Sequence, residues 1–280
     1  MIQQVITSGW EDYELLATGD GLRTERFGEH IITRAEPNVL WAGGKASSHP
    51  AVAVFQAGEW KVTHELKKWK VTWKECTFNL KLTPFRHVGI FPEQAANWQW
   101  LGTKISNAIA SGRTVRVLNL FAYTGGASMV SALAGAEVCH VDASKGVVQW
   151  ASENARASGV PADRIRWIVD DVRKFVAREV KRGAKYDLIL LDPPVFGRGT
   201  KGEVWRLEED LASLLKSVAQ LYSAEPLGFL LNFYATEVYP EAIARMAQQI
   251  MPSFQLELAE LCLSESKSEA LFQTGYIVRA

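Results

Sequence analysis

The 280-residue chain is 48% hydrophobic and 22% charged, a balance that excludes a disordered or fibrous protein and leaves an ordinary globular one. Its length accommodates one large α/β core with a smaller appended module, since domains usually run about 100–200 residues. Lys plus Arg and Asp plus Glu number 31 each, so only a local basic face, not the whole-molecule charge, can argue for a polyanionic partner.

Cys76, Cys139 and Cys262 are far apart, and His30, His49, His64, His87 and His140 are scattered. Neither set has the spacing of zinc ligands, so no metal site is expected and the cysteines point to a reduced, cytoplasmic protein. The opening Met1-Ile-Gln-Gln-Val lacks the basic, apolar and small-residue segments of a signal peptide, and no run of 18 apolar residues occurs. Neither export nor membrane insertion is expected.

From about residue 10 to 90 the chain holds short β-prone runs, among them 30–33, 51–55 and 77–82, separated by turn signals at Gly19-Asp-Gly21, Gly43-Gly44 and Ala57-Gly58. A small, mostly β N-terminal domain is expected over residues 1–90. Between Lys61 and Arg86, the cations Lys67, Lys68, Lys70, Lys74 and Lys81 interleave with Trp69, Trp73, Phe78 and Phe85. That pattern suits a surface that grips phosphates and stacks bases. It equally suits a half-buried sheet with lysines on its wet face, the reading slightly ahead on this segment.

A helix is expected over 94–110. Strand and helix patterns then alternate: strands at 115–120, 137–141, 165–169, 186–191, 228–233, 254–261 and 271–278, with helices at 126–134, 145–158, 172–182, 207–223 and 238–250. Continuous apolar strands such as Leu188-Ile-Leu-Leu191 belong to a sheet covered on both faces. The last two strands have only a loop between them and should form an antiparallel hairpin. Five βα units and a hairpin predict, for residues 91–280, an α/β, Rossmann-like domain with a seven-stranded mixed sheet and helices on both faces.

Four features fall at successive strand ends, where such sheets bind ligands. The first is Val117-Leu-Asn-Leu-Phe-Ala-Tyr-Thr-Gly-Gly126, whose small residues let backbone N–H groups approach a ligand, or merely make a tight turn. The second is Asp142, followed by Ala143 and Ser144. A carboxylate there can accept hydrogen bonds from a ribose diol, the favoured reading, or cap the next helix. The third is Asp170-Asp171, where Asp171 can accept from an adenine amine or cap the following helix. The fourth is Asp192-Pro193-Pro194-Val-Phe196. Two prolines end the strand and hold the carboxylate in a fixed direction, and Phe196 can stack on a planar ring.

At these residues the chain resembles class I methyltransferases related to the bacterial 23S rRNA methyltransferases that modify cytosine C5 or guanine N7. The similarity spans roughly residues 75–235 and includes His87-Val-Gly-Ile-Phe-Pro-Glu-Gln94, Phe121-Ala-Tyr-Thr-Gly-Gly126, Asp142-Ala-Ser144, Asn154, Asp171 and Asp192-Pro-Pro-Val-Phe196. The resemblance implies S-adenosylmethionine as cofactor. Phe91 and Gln94 would fold over it, and Asn119, Phe121, Ala122, Tyr123, Thr124, Gly125 and Gly126 would face its methionine end. Asp142, Ala143 and Ser144 would lie at its ribose, Asp171 at its adenine and Asp192 beside the transferred group. Asn154 is read as structural or ligand-binding.

One departure redirects the chemistry. The cytosine-C5 members use a cysteine nucleophile, often beyond the fifth strand, where this chain has Leu230-Leu-Asn-Phe-Tyr-Ala235. Without a thiolate to attack C6, carbon methylation loses its covalent route. Transfer to nitrogen or oxygen is then expected, with Asp192, Pro193, Pro194 and Phe196 as the reaction site and Asn232 and Tyr234 on its far wall. RNA, ribosomal RNA first, is the expected substrate, although no separate RNA-binding module is evident. A small molecule, a protein side chain or a catalytically silent cofactor-binding scaffold are the alternatives. The glycine-rich loop 197–205 closes over an acceptor through Arg198 or Lys201, or is simply solvated.

Overall fold

The computed structural model describes residues 2–43, 50–67, 69–199, 202–234, 238–268 and 270–280; Gly44, His49, Lys68, Thr200, Lys201 and Ala235, named above, lie outside them. The chain forms two compact units. One comprises Met1–Val5, Asn97–Leu261 and Thr274–Ala280, the other Ile6–Ala96 and Cys262–Gln273.

After β1 (Gln3–Ile6), the smaller unit holds β2 (Tyr13–Gly19), β3 (Leu22–Phe27), β4 (His30–Ala35), β5 (Ala53–Gln56) and β6 (Glu59–Val62), hydrogen-bonded in that order. Only the β4–β5 pair is parallel. β7 (Lys70–Trp73) and β8 (Cys76–Asn79) form a separate hairpin. In and beside this hairpin Trp69, Trp73 and Phe78 are buried and Lys70, Lys74 and Lys81 exposed, whereas Phe85 is exposed as well. The buried aromatics are core residues, and the Trp69 indole donates to the Phe27 carbonyl at 3.0 Å.

Charge is also buried here. Arg23 and Arg34 are direct cross-strand partners on β3 and β4, and Glu25 lies between them on the same face. The Glu25 carboxylate accepts from Arg34 Nε at 2.8 Å and Nη2 at 2.5 Å, and from the Tyr13 hydroxyl at 3.0 Å. Arg23 Nε stands 3.3 Å away. Burial pushes the Glu25 carboxyl up, yet the guanidinium groups of Arg23 and Arg34 outweigh it and hold the acid below its ordinary range.

Glu93 in the same unit behaves oppositely. Its Oε2 is buried and finds no hydrogen-bond partner among the described residues, and burial raises its pKa despite the opposing charge of Arg23. A carboxyl raised on folding stabilises relative to the unfolded chain at low pH, and that contribution is lost as pH rises through the folded value. Glu93→Gln removes this slope. Urea unfolding at increasing pH is expected to move the stability difference in the variant's favour above 4.5, the carboxyl's ordinary value; a difference independent of pH would contradict the assignment.

In the larger unit, α1 (Ala95–Ala110) precedes β9 (Arg116–Leu120), α2 (Gly126–Leu133), β10 (Glu137–Asp142), α3 (Lys145–Ala157), β11 (Ile165–Val169), α4 (Val172–Lys181) and β12 (Leu188–Leu191). Then come β13 (Phe196–Arg198), β14 (Val204–Arg206), α5 (Leu207–Val218), β15 (Gly228–Phe233), α6 (Pro240–Ile250), β16 (Glu257–Ser264) and β17 (Leu271–Arg279). The main sheet runs β1-β16-β17-β15-β12-β9-β10-β11. β11, β10, β9, β12 and β15 are mutually parallel and β17 is antiparallel to β15. The strand order reverses between β9 and β12, so a ligand crevice is expected at their carboxyl ends.

The seven expected strands are all present, and β1 adds an eighth at the edge. The strand expected from residue 254 begins at Glu257, because the Gln248 side chain takes the local backbone: its amide donates to the Phe254 carbonyl at 2.7 Å and accepts from Leu256 N at 3.0 Å. The helix expected over 207–223 ends at Val218 and tightens into a 3-10 turn, Ala219–Leu221. Of the segment 197–205, Gly197 and Arg198 belong to β13 and Val204 and Trp205 to β14, and the two strands pair antiparallel.

Candidate functional site

The turn after β9 carries three alternate residues at positive φ: Phe121 (55°), Tyr123 (48°) and Gly125 (90°). Two are not glycine, so the backbone is strained, on the order of 1–3 kcal/mol each, and surrounding bonds must hold it. Ala122 N donates to the Val141 carbonyl at 3.1 Å, and Tyr123 N to Asp142 Oδ2 at 3.0 Å. The fully buried Asn154 donates Nδ2 to the Thr124 carbonyl at 3.1 Å. Asn154 thus holds the turn from α3.

The glycine pair answers to packing as well as to conformation. A Cβ on Gly125 would lie 3.1 Å from that of Ala151, and one on Gly126 only 2.4 Å from the Trp98 ring. Any side chain at Gly126 must displace a buried indole.

Asp142, at the end of β10, reaches across to the neighbouring turn. Its Oδ1 accepts from Ser144 N at 2.9 Å while Oδ2 holds Tyr123 N. Burial raises its pKa against the lowering effect of the Ser144, Tyr123 and Ala143 N–H groups. The N-cap of α3 is Ser144, not Asp142, so this carboxylate joins two strand ends instead of capping. Asp171 does cap: it is the N-cap of α4 and accepts from Lys174 N at 3.1 Å.

Asn119 points its amide inward. Nδ2 donates to Ser128 Oγ at 2.9 Å, and Ser128 Oγ lies 3.0 Å from His140 Nδ1. Burial pushes the His140 pKa down to about 3, so the imidazole is neutral. Asn119 therefore ties β9 to α2 and, through Ser128, to β10, a brace that sequence periodicity does not reveal.

Asp192 follows β12 directly. Its N donates to the Leu120 carbonyl at 3.3 Å, and its Oδ1 accepts from Asn232 Nδ2 at 2.7 Å. The register pairs Leu191 with Leu231, which brings the next residues, Asp192 and Asn232, side by side. Asn232 is fully buried, so its amide fixes the direction of the half-buried carboxylate. Pro193 is buried, and the Pro194 carbonyl accepts from the Trp205 indole at 2.7 Å. The Trp205 ring packs on Phe121, centroids 4.9 Å apart. Trp205, the last residue of the 197–205 segment, thus joins the Asp-Pro-Pro turn to the turn after β9.

Phe91 and Gln94 belong to the smaller unit. Phe91 leads into the 3-10 turn Pro92–Gln94, its ring 5.0 Å from His87, and Gln94 is buried. Burial and the charges of Arg34, Arg86 and Arg23 push the His87 pKa down to about 4. All three cysteines are free and buried. Burial raises the thiol pKa of Cys76 to about 12 and of Cys139 to about 11, leaving neither as a ready thiolate at neutral pH. Among the described residues no cluster of three or more acidic, cysteine or histidine side chains suits a metal ion, and no helix is long and apolar enough to cross a membrane.

A family model described as S-adenosylmethionine-dependent methyltransferase matches residues 47–255. The ribosomal RNA large subunit methyltransferase K/L of Shewanella frigidimarina is 33% identical over 156 residues, covering 52% of this chain and 20% of that protein. Its counterpart from Shewanella baltica is 34% identical over 148 residues, with the same shares. The chain thus spans about a fifth of the length of these relatives. A solved S-adenosylmethionine-dependent methyltransferase from Agrobacterium tumefaciens is 35% identical and superposes with a TM-score of 0.92, covering 99% of this chain and 95% of that one.

Proposed function

The chain belongs to the S-adenosylmethionine-dependent methyltransferase family, and from that premise we propose that it methylates a nitrogen or oxygen of RNA, ribosomal RNA being the first candidate. The strand ends fit the cofactor: a small-residue turn held in an unusual conformation lies beside a desolvated carboxylate. In this reading the 121–126 turn, with Asn119 behind it, holds the methionine end. Asp142, with Ala143 and Ser144, holds the ribose and Asp171 the adenine, while Asn154 braces the turn. When bound, S-adenosylmethionine supplies an electrophilic methyl group for in-line displacement.

The chain's own task is to orient an acceptor lone pair and take its proton. The observation that carries the proposal is the Asn232–Asp192 bond, 2.7 Å long, which aims a carboxylate at the carboxyl edge of the sheet. Pro193 and Pro194 stiffen the chain behind it, and Phe196 offers a ring to a planar base at the site. The buried, high-pKa thiols of Cys76 and Cys139 disfavour the covalent route to cytosine C5. RNA is supported by the similarity to ribosomal RNA large subunit methyltransferases, and such a substrate would place the protein in the cytoplasm.

The test is incubation with tritiated S-adenosylmethionine and, separately, total RNA, ribosomal subunits, protein extract and small molecules from cells lacking the enzyme. Label in RNA, at a nitrogen or oxygen, is expected. Label confined to protein or small molecules overturns the RNA substrate, and cofactor binding without any transfer identifies a silent scaffold.

A further inference from the structure

The β13–β14 hairpin has two unlike faces. Its register pairs Phe196 with Arg206, Gly197 with Trp205 and Arg198 with Val204, and cross-strand partners share a face. Trp205 on the inner face is buried and fastened to Pro194 and Phe121. Leu207 N, just past β14, also donates to the Val195 carbonyl at 3.0 Å. The hairpin is therefore fixed to the residues that follow Asp192.

The outer face presents Phe196 and Val204, 49% and 43% exposed. The guanidinium carbons of Arg198 and Arg206 stand 5.8 and 5.6 Å from the centre of the Phe196 ring. Arg198 faces no carboxylate within ion-pair distance among the described residues, and Arg206 has only the exposed Glu209 at 3.7 Å, a weak pairing in water. The nearby acids are neutralised elsewhere: Glu203 by Lys174 at 2.5 Å, and Asp210 by Arg173 at 2.9 Å. An exposed aromatic ring with two guanidinium groups near it, in a chain of no net charge, is complementary to an unpaired base and its phosphates.

We propose that the outer face of this hairpin grips single-stranded RNA beside the reacting nucleotide, one base stacking on the Phe196 platform and backbone phosphates meeting Arg198 and Arg206. The inference rests on the RNA reading above and deepens it.

The experiment titrates the full chain with a fluorescent single-stranded RNA dodecamer of mixed sequence at several salt concentrations, alongside RNA-methylation kinetics. Replacing both Arg198→Gln and Arg206→Gln should weaken binding and lower the salt slope, by about 0.7 per lost phosphate contact and so about 1.4 for two. Cofactor affinity should stay unchanged. Arg198→Lys with Arg206→Lys should restore the slope, which separates lost charge from misfolding, and Phe196→Leu should weaken binding while leaving the slope intact.

Unchanged dodecamer affinity in the double Gln variant overturns the inference. So does equal binding of poly-glutamate with no effect of Phe196→Leu, the behaviour of an unspecific polyanion site. If the wild type methylates RNA and the double variant keeps its KM, the hairpin inference fails while the substrate reading stands. If the dodecamer binds through the hairpin but no RNA accepts a methyl group, the substrate reading fails and the hairpin stands.

Discussion

Asp192→Asn is expected to slow methyl transfer by about 100-fold or more, at the lower end of what a positioned acid or base contributes, in a protein that still binds S-adenosylmethionine. The substitution is nearly isosteric. The introduced carboxamide keeps an oxygen to accept from Asn232 Nδ2, which in the wild type stands 2.7 Å from Asp192 Oδ1, and the backbone bond to Leu120 is untouched. What disappears is the negative charge that we propose receives the acceptor's proton. The measurement is single-turnover tritium transfer at saturating cofactor, with calorimetric titration of the cofactor as the control. A variant with the full rate and normal cofactor binding would remove Asp192 from the chemistry.

The candidate acids draw notice in sequence by their places: Asp142 ends β10, Asp192 follows the apolar β12 directly, and Asp171 stands two residues beyond β11. Their partners were harder to read. Asp171 offered a cap and a ligand acceptor at once, since both uses ask for the same short carboxylate, and only the bond from Lys174 N displays the cap. The 2.7 Å bond between Asn232 and Asp192 spans 40 positions and depends on the β12–β15 register. Trp98 beneath Gly126 and Trp205 beneath Pro194 are contacts of the same long-range kind. The hairpin at 196–206 escaped because each of its strands has three residues, too few for alternation to stand out among glycines.

The parallel strands were readable in order because a sheet buried on both faces writes itself as continuous apolar runs. β1 was not: its four residues are mostly exposed and carry no alternation, and only its neighbours make it a strand. The N-terminal strands carry no comparable signal for their buried charges, since charged side chains are rarely buried. In the structure Arg23, Glu25 and Arg34 are buried together, with Glu36 3.8 Å from Arg23 as the second acid.

Glu25 is the carboxylate that both Arg23 and Arg34 face. Glu25→Gln leaves Arg23 and Arg34 as cross-strand neighbours, both buried, without the carboxylate that accepts from Arg34 and faces Arg23 at 3.3 Å. Removing one member of a buried ion cluster costs about 3–5 kcal/mol: Arg23 keeps Glu36 at 3.8 Å, but Arg34 stays desolvated without its carboxylate. The pH dependence has a definite sign. The folded-state pKa of Glu25 lies below the ordinary 4.5, so its stabilisation is present above the unfolded value and lost as pH falls through the folded one. Urea unfolding should show the wild type weakening in acid through this component, whereas Glu25→Gln is already weakened at neutral pH and lacks that step. A loss below about 1 kcal/mol, the scale of a solvent-exposed ion pair, would mean that water reaches the cluster and screens the two arginines.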